Sequence, residues 1–475
     1  AVIATVNVVP VTPGLISGGT TLCESISGQI YSITAVPDAS SYTWTVPTGW
    51  TITSGNGTTS ITVTVGIAGQ NGNITVTANS CSASSAQTLA VTVNSCINKW
   101  KGNISNDWNT PANWTLNIVP AVDATILFDN IPLNHLVLDQ DRTVTDITNA
   151  QSTYRMVLNG KKLTLKGALI FSNGAQIDAS ANNSTIEFSG AVPQTIPSNA
   201  LLNNAVFNLS ISTPNHLRFV GNLRLLNSIN TPSSGRLDAV TNNPTVIFSG
   251  NTSQNMVSNQ FLGEQIHNLT IDNELGVNLN SNITIQNLLT INSGKIFTIA
   301  SVNQLNVLGN IINNAGTSGL ILKSNSNGTA SLLHNTNNVA ATVERYISRN
   351  AEDWHFLSSP VNNQPISGSW LPTGTYGNGT GYDLYVWNEP TFCWFFKNDT
   401  ANWNLAHPTA NFVTGRGYLY SVQANKPTKM FAGNLNNGLL NYPLTKSTTT
   451  DENLKELEGF NLVGNPYPSS VDWSA

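Results

Sequence analysis

Charge is scarce in this chain. Only 9% of its residues are Asp, Glu, Lys or Arg, against a typical ~25%. The 20 basic residues are scattered. Phosphate binding by counterion release needs them clustered, so no nucleic-acid partner is expected. Long apolar runs are missing too, and none reaches the ~20 residues that a membrane-spanning helix requires. Cysteine is rare. Cys23, Cys81, Cys96 and Cys393 show no C-x-x-C spacing, which argues against zinc or redox chemistry. The six histidines are dispersed and suggest no Ser-His-Asp arrangement. No cofactor and no metal are therefore expected. The missing charge is replaced by Asn, Thr, Ser and Gly, which keep a β-rich surface wet without ion pairs. The apolar fraction of 40% is enough for packed cores and excludes disorder. At 475 residues, about three domains are expected.

The strongest positive signal is a repeat at a spacing of 60 residues. Thr185-Ile186-Glu187-Phe188-Ser189-Gly190 returns as Thr245-Val246-Ile247-Phe248-Ser249-Gly250. Gln194 returns as Gln254, and Asn208-Leu209 as Asn268-Leu269. Leu163 and Leu165 align with Leu223 and Leu225, then with Ile283 and Ile285. Such self-similarity means stacked coils. Short strands recur every ~20 residues, so one unit reads as about three coils of a right-handed parallel β-helix, some twelve coils in all. Leu, Ile, Val and Phe point inward, Thr, Asn and Ser outward. Gly, Asn and Asp, which tolerate positive φ, take the corners. Low charge suits this stacking, because like charges in register on successive coils repel.

The repeat occupies 97–345. Ahead of it, 1–96 reads as a small β-sandwich. Tyr42-Thr43-Trp44-Thr45-Val46 and Ser60-Ile61-Thr62-Val63-Thr64-Val65 alternate with period two, and turn clusters such as Ser54-Gly55-Asn56-Gly57 separate the runs. Trp44 is the expected core anchor. Cys23 and Cys81 are placed to bridge early and late strands, which requires an oxidising compartment; Cys81–Cys96 is the competing connectivity, and buried thiols the plain alternative. Behind the repeat, 346–475 is aromatic-rich and still β-periodic, and is expected to form a C-terminal β-sandwich. Ala1-Val2-Ile3-Ala4 lacks a basic leader, and Pro466-Tyr467-Pro468 onward reads like the middle of a domain. A mature form or fragment whose natural chain continues is therefore expected.

Several strings carry a family resemblance. Cys23, Tyr31-Ser32-Ile33, Ser41-Tyr42-Thr43-Trp44 through Gly49-Trp50, and Asn79-Ser80-Cys81 resemble the PKD-like, immunoglobulin-like domain of large bacterial surface proteins. Trp100-Lys101-Gly102, Asn106-Asp107-Trp108, Asn113-Trp114 and Val119-Pro120 resemble the leading segment of β-helical proteins exported by the type IX system. Gly415-Arg416-Gly417-Tyr418-Leu419 and Gly459-Phe460-Asn461-Leu462 through Pro468 resemble the β-sandwich that follows the β-helix in the same proteins. The resemblance implies an all-β, modular, adhesin-like protein, secreted to the bacterial cell surface. It also implies the type IX secretion and attachment machinery of the outer membrane as partner. Asp399-Thr400-Ala401 resembles the O-glycosylation signal of this bacterial group, placing a candidate modification on Thr400.

The three leading tryptophans read as a cap over the open solenoid end, with an aromatic sugar platform as the alternative. Parallel β-helices also host polysaccharide lyases and glycoside hydrolases, which need convergent carboxylates. Acidic residues in the coils are isolated, and Asp178 and Asp238 obey the repeat, as corner caps do. Asp123, Asp129, Asp139, Asp141 and Asp146 form the densest acidic group. Hard oxygen ligands suit calcium, but the spacing matches no Ca loop motif, so these read as solvated turn residues. For ligand contact, Trp387, Trp394 and Trp403 lie near Asn-rich loops and are the candidates for stacking on a glycan. The expectation is a non-enzymatic stalk displaying a terminal binding module to surface glycans or other cells, with a polysaccharide-degrading enzyme as the rival.

Overall fold

The computed structural model describes residues 9–129, 132–149, 154–171, 176–347, 354–372, 383–421 and 428–472. Two compact bodies are present. One holds residues 1–99 with 115–118, and the other residues 100–114 with 119–475.

The first body is a two-layer sandwich of short strands. One sheet joins Thr21–Cys23, Gln87–Asn94, Gly72–Asn79 and Ser41–Thr45; the other joins Gln29–Ser32, Ser60–Thr64 and Thr51–Ser54. Alternation decides the faces: Ile61, Val63, Ile74 and Val76 are buried while the threonines between them are not. Trp44 is buried, and its indole N–H donates to Thr58 O at 2.8 Å.

The disulfide joins Cys23 to Cys96, with Cα atoms 5.2 Å apart. This corrects the expected Cys23–Cys81 bridge and also replaces Cys81–Cys96. Strand Thr21–Cys23 runs parallel to Gln87–Asn94 with Cys23 beside Asn94, two residues before Cys96. Cys81 lies past the far end of Gly72–Asn79, whose near end is paired beside Val91. Seven residues of extended strand separate the two ends by roughly 23 Å, far beyond the ~7 Å a disulfide tolerates.

The second body is a parallel β-solenoid of about ten turns. Leu163 stacks on Ile186, Ile186 on Leu209 and Leu209 on Ile229. Three coils thus carry the chain from Leu163 to Ile229, six residues past Leu223, the repeat counterpart of Leu163. The 60-residue unit is therefore short of three full coils, and equivalent strands fall on neighbouring faces. Strand Thr185–Phe188 stacks between Lys162–Leu165 and the end of Leu201–Ile211. Its counterpart Thr245–Phe248 stacks between Asn222–Leu225 and the end of Phe261–Ile271. The steps of 19 to 27 residues, together with the length given to the cap, yield fewer coils than a uniform 20-residue spacing over 97–345 suggests.

The corners repeat with the sequence. Asn183 and Asn243 adopt φ of 67° and 51°, and Asn199 and Asn259 of 60° and 68°, the left-handed region that Asn tolerates. Gly190 and Gly250 are required by packing: a Cβ there would lie 2.4 Å from Lys166 O and 2.2 Å from Leu226 O on the coil below. Asp178 accepts from the Ser180 N–H and hydroxyl. Asp238 accepts from Val240 and Thr241 N–H and pairs with Arg218 at 3.2 Å. Burial pushes the Asp238 carboxyl up, but these bonds outweigh it and hold it below the usual range. Inside the column Leu165, Ile186, Phe188, Leu225, Val246 and Phe248 are buried in one continuous core. An apolar interior of this kind supplies the main driving force for stacking.

Both ends of the column are closed. At the start, Trp100, Trp108 and Trp114 are buried and packed edge to face, with ring centroids 5.1 Å apart in each pair. Trp100 donates to Asn134 O and Trp114 to Trp108 O. Their burial fits a cap and leaves no ring face open as a sugar platform. At the far end, strand Thr428–Asn434 pairs antiparallel with Ala340–Tyr346 of the last coil and so covers an open parallel edge. Leu332 N–H donates to Pro468 O.

The expected terminal sandwich takes an unexpected form. Trp354–Leu357, Tyr418–Ser421, Asp383–Asn388 and Cys393–Phe396 make one antiparallel sheet. Its inner face packs on the solenoid's own last sheet through Trp370, whose ring lies 4.5 Å from Phe431 and 6.0 Å from Tyr420. The second layer is thus borrowed from the solenoid. A boundary between 345 and 346 would cut the strand Ala340–Tyr346, which binds the two parts together.

Candidate functional site

The terminal sheet has one buried face and one aromatic face. Register fixes which is which. Phe356 pairs with Leu419, Leu419 with Tyr385, and Tyr385 with Phe396. Trp387 pairs with Trp394. Directly paired residues share a face, as do residues two apart on one strand. Trp354, Phe356, Leu419, Tyr385, Trp387, Trp394 and Phe396 therefore lie on the same side. Ring contacts agree: Trp354 meets Tyr385 edge to face at 5.1 Å, and Trp387 meets Trp394 at 5.5 Å. On the opposite side Leu384, Val386, Tyr418 and Tyr420 are wholly buried.

Exposure sorts the aromatic face. Phe356 is 69% exposed, Trp394 37% and Trp354 36%. Trp387 is almost covered, held between Trp394 and Phe460, with its indole N–H donating to Phe460 O. Of the three tryptophans expected to touch a ligand, Trp394 is placed for it and Trp387, nearly covered, packs edge to face beside it. Trp403 is not placed for it. It sits on the buried side of the helix Thr400–Ala406, stacked on His407 at 4.9 Å. The helical turn places Trp403 one step from His407, which pulls it into the core. Trp354 and Phe356 were missed by sequence reasoning. Their signal is the string Trp354-His355-Phe356, in which period two places both aromatics on one face.

Thr400 is exposed and opens the helix. The preceding Asp399 caps it by accepting from Asn402 N–H.

The acidic group near the cap is spread among separate partners. Asp123 pairs with Lys166 at 2.8 Å and Asp139 with Arg142 at 2.6 Å. Asp141 accepts from Lys162 N–H, and Asp146 from Ala168 N–H. Among the described residues, no three of His, Cys, Asp or Glu converge in a manner suited to a metal ion.

Below the aromatic sheet lies a second cluster, built from polar groups. His407 is buried, its Nδ1 bonded to Thr409 O at 3.0 Å and its Nε2 to the Tyr418 hydroxyl at 2.7 Å. The Thr409 carbonyl can only accept, so Nδ1 carries the proton; in the neutral imidazole Nε2 then accepts from the Tyr418 hydroxyl, whose oxygen also accepts from Val413 N–H. Burial first, and then the charge of Arg416, lower the His407 pKa to about 4. Glu389 binds the N–H groups of Ser447 and Gly459 and fastens the C-terminal segment to the sheet. Burial pushes its carboxyl up, but these bonds prevail and hold it at about 2.

Residues 9–91 match the PKD-like domain, and the sandwich there has the expected fold. No curated protein and no solved structure matches the chain. A second match begins inside the solenoid, at Asp238, and runs through the terminal sheet without a break, as the shared layer would lead one to expect. It covers residues 238–475, half of the chain, and on that basis the protein belongs to the family described as a domain of unknown function, DUF8693.

Proposed function

We propose that this protein is a non-enzymatic, secreted component of a bacterial cell surface, exported by the type IX system. In this reading its solenoid carries a glycan-binding face on the terminal sheet. The PKD-like domain and the β-solenoid fit a structural, adhesin-like protein. The observation that carries the binding role is the aromatic face. Trp354, Phe356 and Trp394 stand exposed on one side of a four-stranded sheet that is anchored to the last coil. Scattered exposed apolar residues need no explanation, but a contiguous aromatic patch marks an interaction site. Flat indole rings held by edge contacts with neighbours on the same face offer large contact area at little entropic cost, and sugar rings present the matching apolar faces. Surface glycans of other cells are the proposed partners, the outer-membrane attachment machinery holds the protein in place, and Thr400 is the proposed site of O-linked glycan.

A glycan array tests this. The chain should bind a restricted set of saccharides, and Trp394→Ala, on the rim of the sheet, should weaken binding roughly tenfold or more without altering the melting temperature. Equal binding by wild type and by a Trp354→Ala/Trp394→Ala double variant would refute the assignment.

A further inference from the structure

A cavity of about 380 Å³ lies where the last coil meets the terminal sheet, lined by Arg345, His355, Ser358, Gly417, Gly464 and Asn465 among others. Arg345 occupies an inward position. Ala341 and Val343, two and four residues before it on the same strand, are wholly buried, and period two gives Arg345 the same side. A guanidinium therefore stands where the pattern calls for an aliphatic side chain. Its cross-strand partner is Lys429, also cationic, and buried. Like charges facing each other across a strand pair repel.

What Arg345 touches is as telling. A guanidinium offers five N–H donors, yet among the described residues the hydrogen bond it makes is to the carbonyl oxygen of its neighbour, Glu344. The Glu344 carboxylate is engaged elsewhere, with Lys323 at 2.7 Å and with Ser324 N–H. No Asp or Glu is among the described residues lining the cavity. Ser358, on the same wall, is buried, and its hydroxyl has no hydrogen-bond partner among the described residues. Two glycines keep the wall open. A Cβ on Gly464 would lie 2.5 Å from Ser358 Cβ, and one on Gly417 would lie 2.6 Å from Leu462 Cγ.

We propose that this cavity is an oxyanion-binding site, in which Arg345 and the Ser358 hydroxyl donate to a carboxylate or sulfate group. A half-buried cation with no counter-charge among the described residues is costly, and burial alone already lowers the Arg345 pKa to about 10. An oxyanion removes that cost, and the planar guanidinium matches its geometry in two parallel bonds. An unused hydroxyl beside the arginine supplies a third. The group can arrive as a free ion or on an acidic saccharide, and Phe356, which also lines the cavity, belongs to the exposed aromatic face.

Calorimetric titration of the whole chain with sodium sulfate, with trigalacturonate and with neutral galactotriose tests the site. Sulfate, trigalacturonate or both should bind, and galactotriose should not bind at Arg345. Arg345→Gln should weaken anion binding by ~10-fold or more. Ser358→Ala should weaken it by about threefold or more and serves as the reporter if the arginine variant does not fold. Tighter binding of trigalacturonate than of sulfate would assign the site to a saccharide-borne carboxylate; equal binding would assign it to the free oxyanion. Failure of both anions to bind the wild type, or wild-type affinity in both variants, would overturn the proposal. Neither outcome depends on the exposed tryptophans, so loss of glycan recognition at Trp394 and loss of anion binding at Arg345 are separable results.

Discussion

The side-chain amide of Gln254 donates from Nε2 to the carbonyl oxygen of Leu225, 29 residues back and one coil below, at 3.0 Å. The same amide donates to Asn227 O, and its Oε1 accepts from Gly250 N–H and from the Asn273 amide. Gln194, its repeat counterpart, binds Leu165 O, Gly167 O and Gly190 N–H in the same way. A buried glutamine thus ties each repeat to the coil beneath it, with every polar atom satisfied.

Gln254→Leu keeps much of the volume and removes the tie. It strips Gly250 N–H and Asn227 O of the Gln254 bonds, and takes one bond each from Leu225 O and the Asn273 amide, which keep Ser249 N–H and Thr252 O. Each orphaned group costs on the order of 1–3 kcal/mol. The solenoid should lose about 3 kcal/mol or more in urea unfolding, whereas replacement of the exposed Asn255 on the next position should cost under about 0.5 kcal/mol.

Reduction of Cys23–Cys96 should act on the N-terminal sandwich alone. A bridge closing a long loop contributes about 2–5 kcal/mol. In calorimetry, the first transition should move down with a thiol reductant and the solenoid transition should stay. Cys81→Ser should leave both where they are, and a non-reducing peptide map should recover Cys23 linked to Cys96.

Trp403 and Trp394 should separate stability from binding. Trp403→Ala empties a core site and should cost about 3–5 kcal/mol. Trp394→Ala, at a surface position, should cost little stability and act on ligand affinity.

Acid should loosen the terminal sheet in a defined window. The folded His407 pKa, about 4, lies below its unfolded value near 6.5, so the fold favours the neutral ring. Its contribution is complete above about pH 6.5 and is lost as pH falls from there toward 4, by roughly 3 kcal/mol in total. Protonation would set an Nε2–H against the Tyr418 hydroxyl, which already donates to it. Glu389, depressed to about 2, adds stability present above about pH 4.5 and lost below that as pH falls toward 2. Stability measured against pH should show the first loss between pH 6.5 and 4, and His407→Gln should flatten that part of the curve.

The column was legible because its physics is local and periodic. Leu163, Leu223 and Ile283 announce an inward face, and Asn183 and Asn243 a corner, without knowledge of distant contacts. The relation of repeat to coil was not legible. A 60-residue period says what recurs, but only strand register reveals that Leu163 reaches Ile229, not Leu223, after three turns. Strand order decided the disulfide, since Cys96 lies beside Cys23 only once Thr21–Cys23 is paired in parallel with Gln87–Asn94. The site was half legible. Trp394 and Trp387 were found by composition, whereas Trp403 was misjudged because one short helix interrupts a β-periodic stretch and turns it inward. Arg345 carries no motif. Its importance follows from a charge standing on an apolar face, which needs the neighbouring sheet to be seen.

Affinity electrophoresis of the whole chain through gels cast with plant and algal polysaccharides, with reducing ends and unsaturated products assayed in the same lanes, tests the central claim most directly. A column that displays a binding face without doing chemistry should be retarded by at least one polysaccharide, should lose that retardation in the Trp354→Ala/Trp394→Ala variant, and should release no product. Release of oligosaccharides by the wild type, abolished by Asp139→Asn or Asp141→Asn, would contradict it.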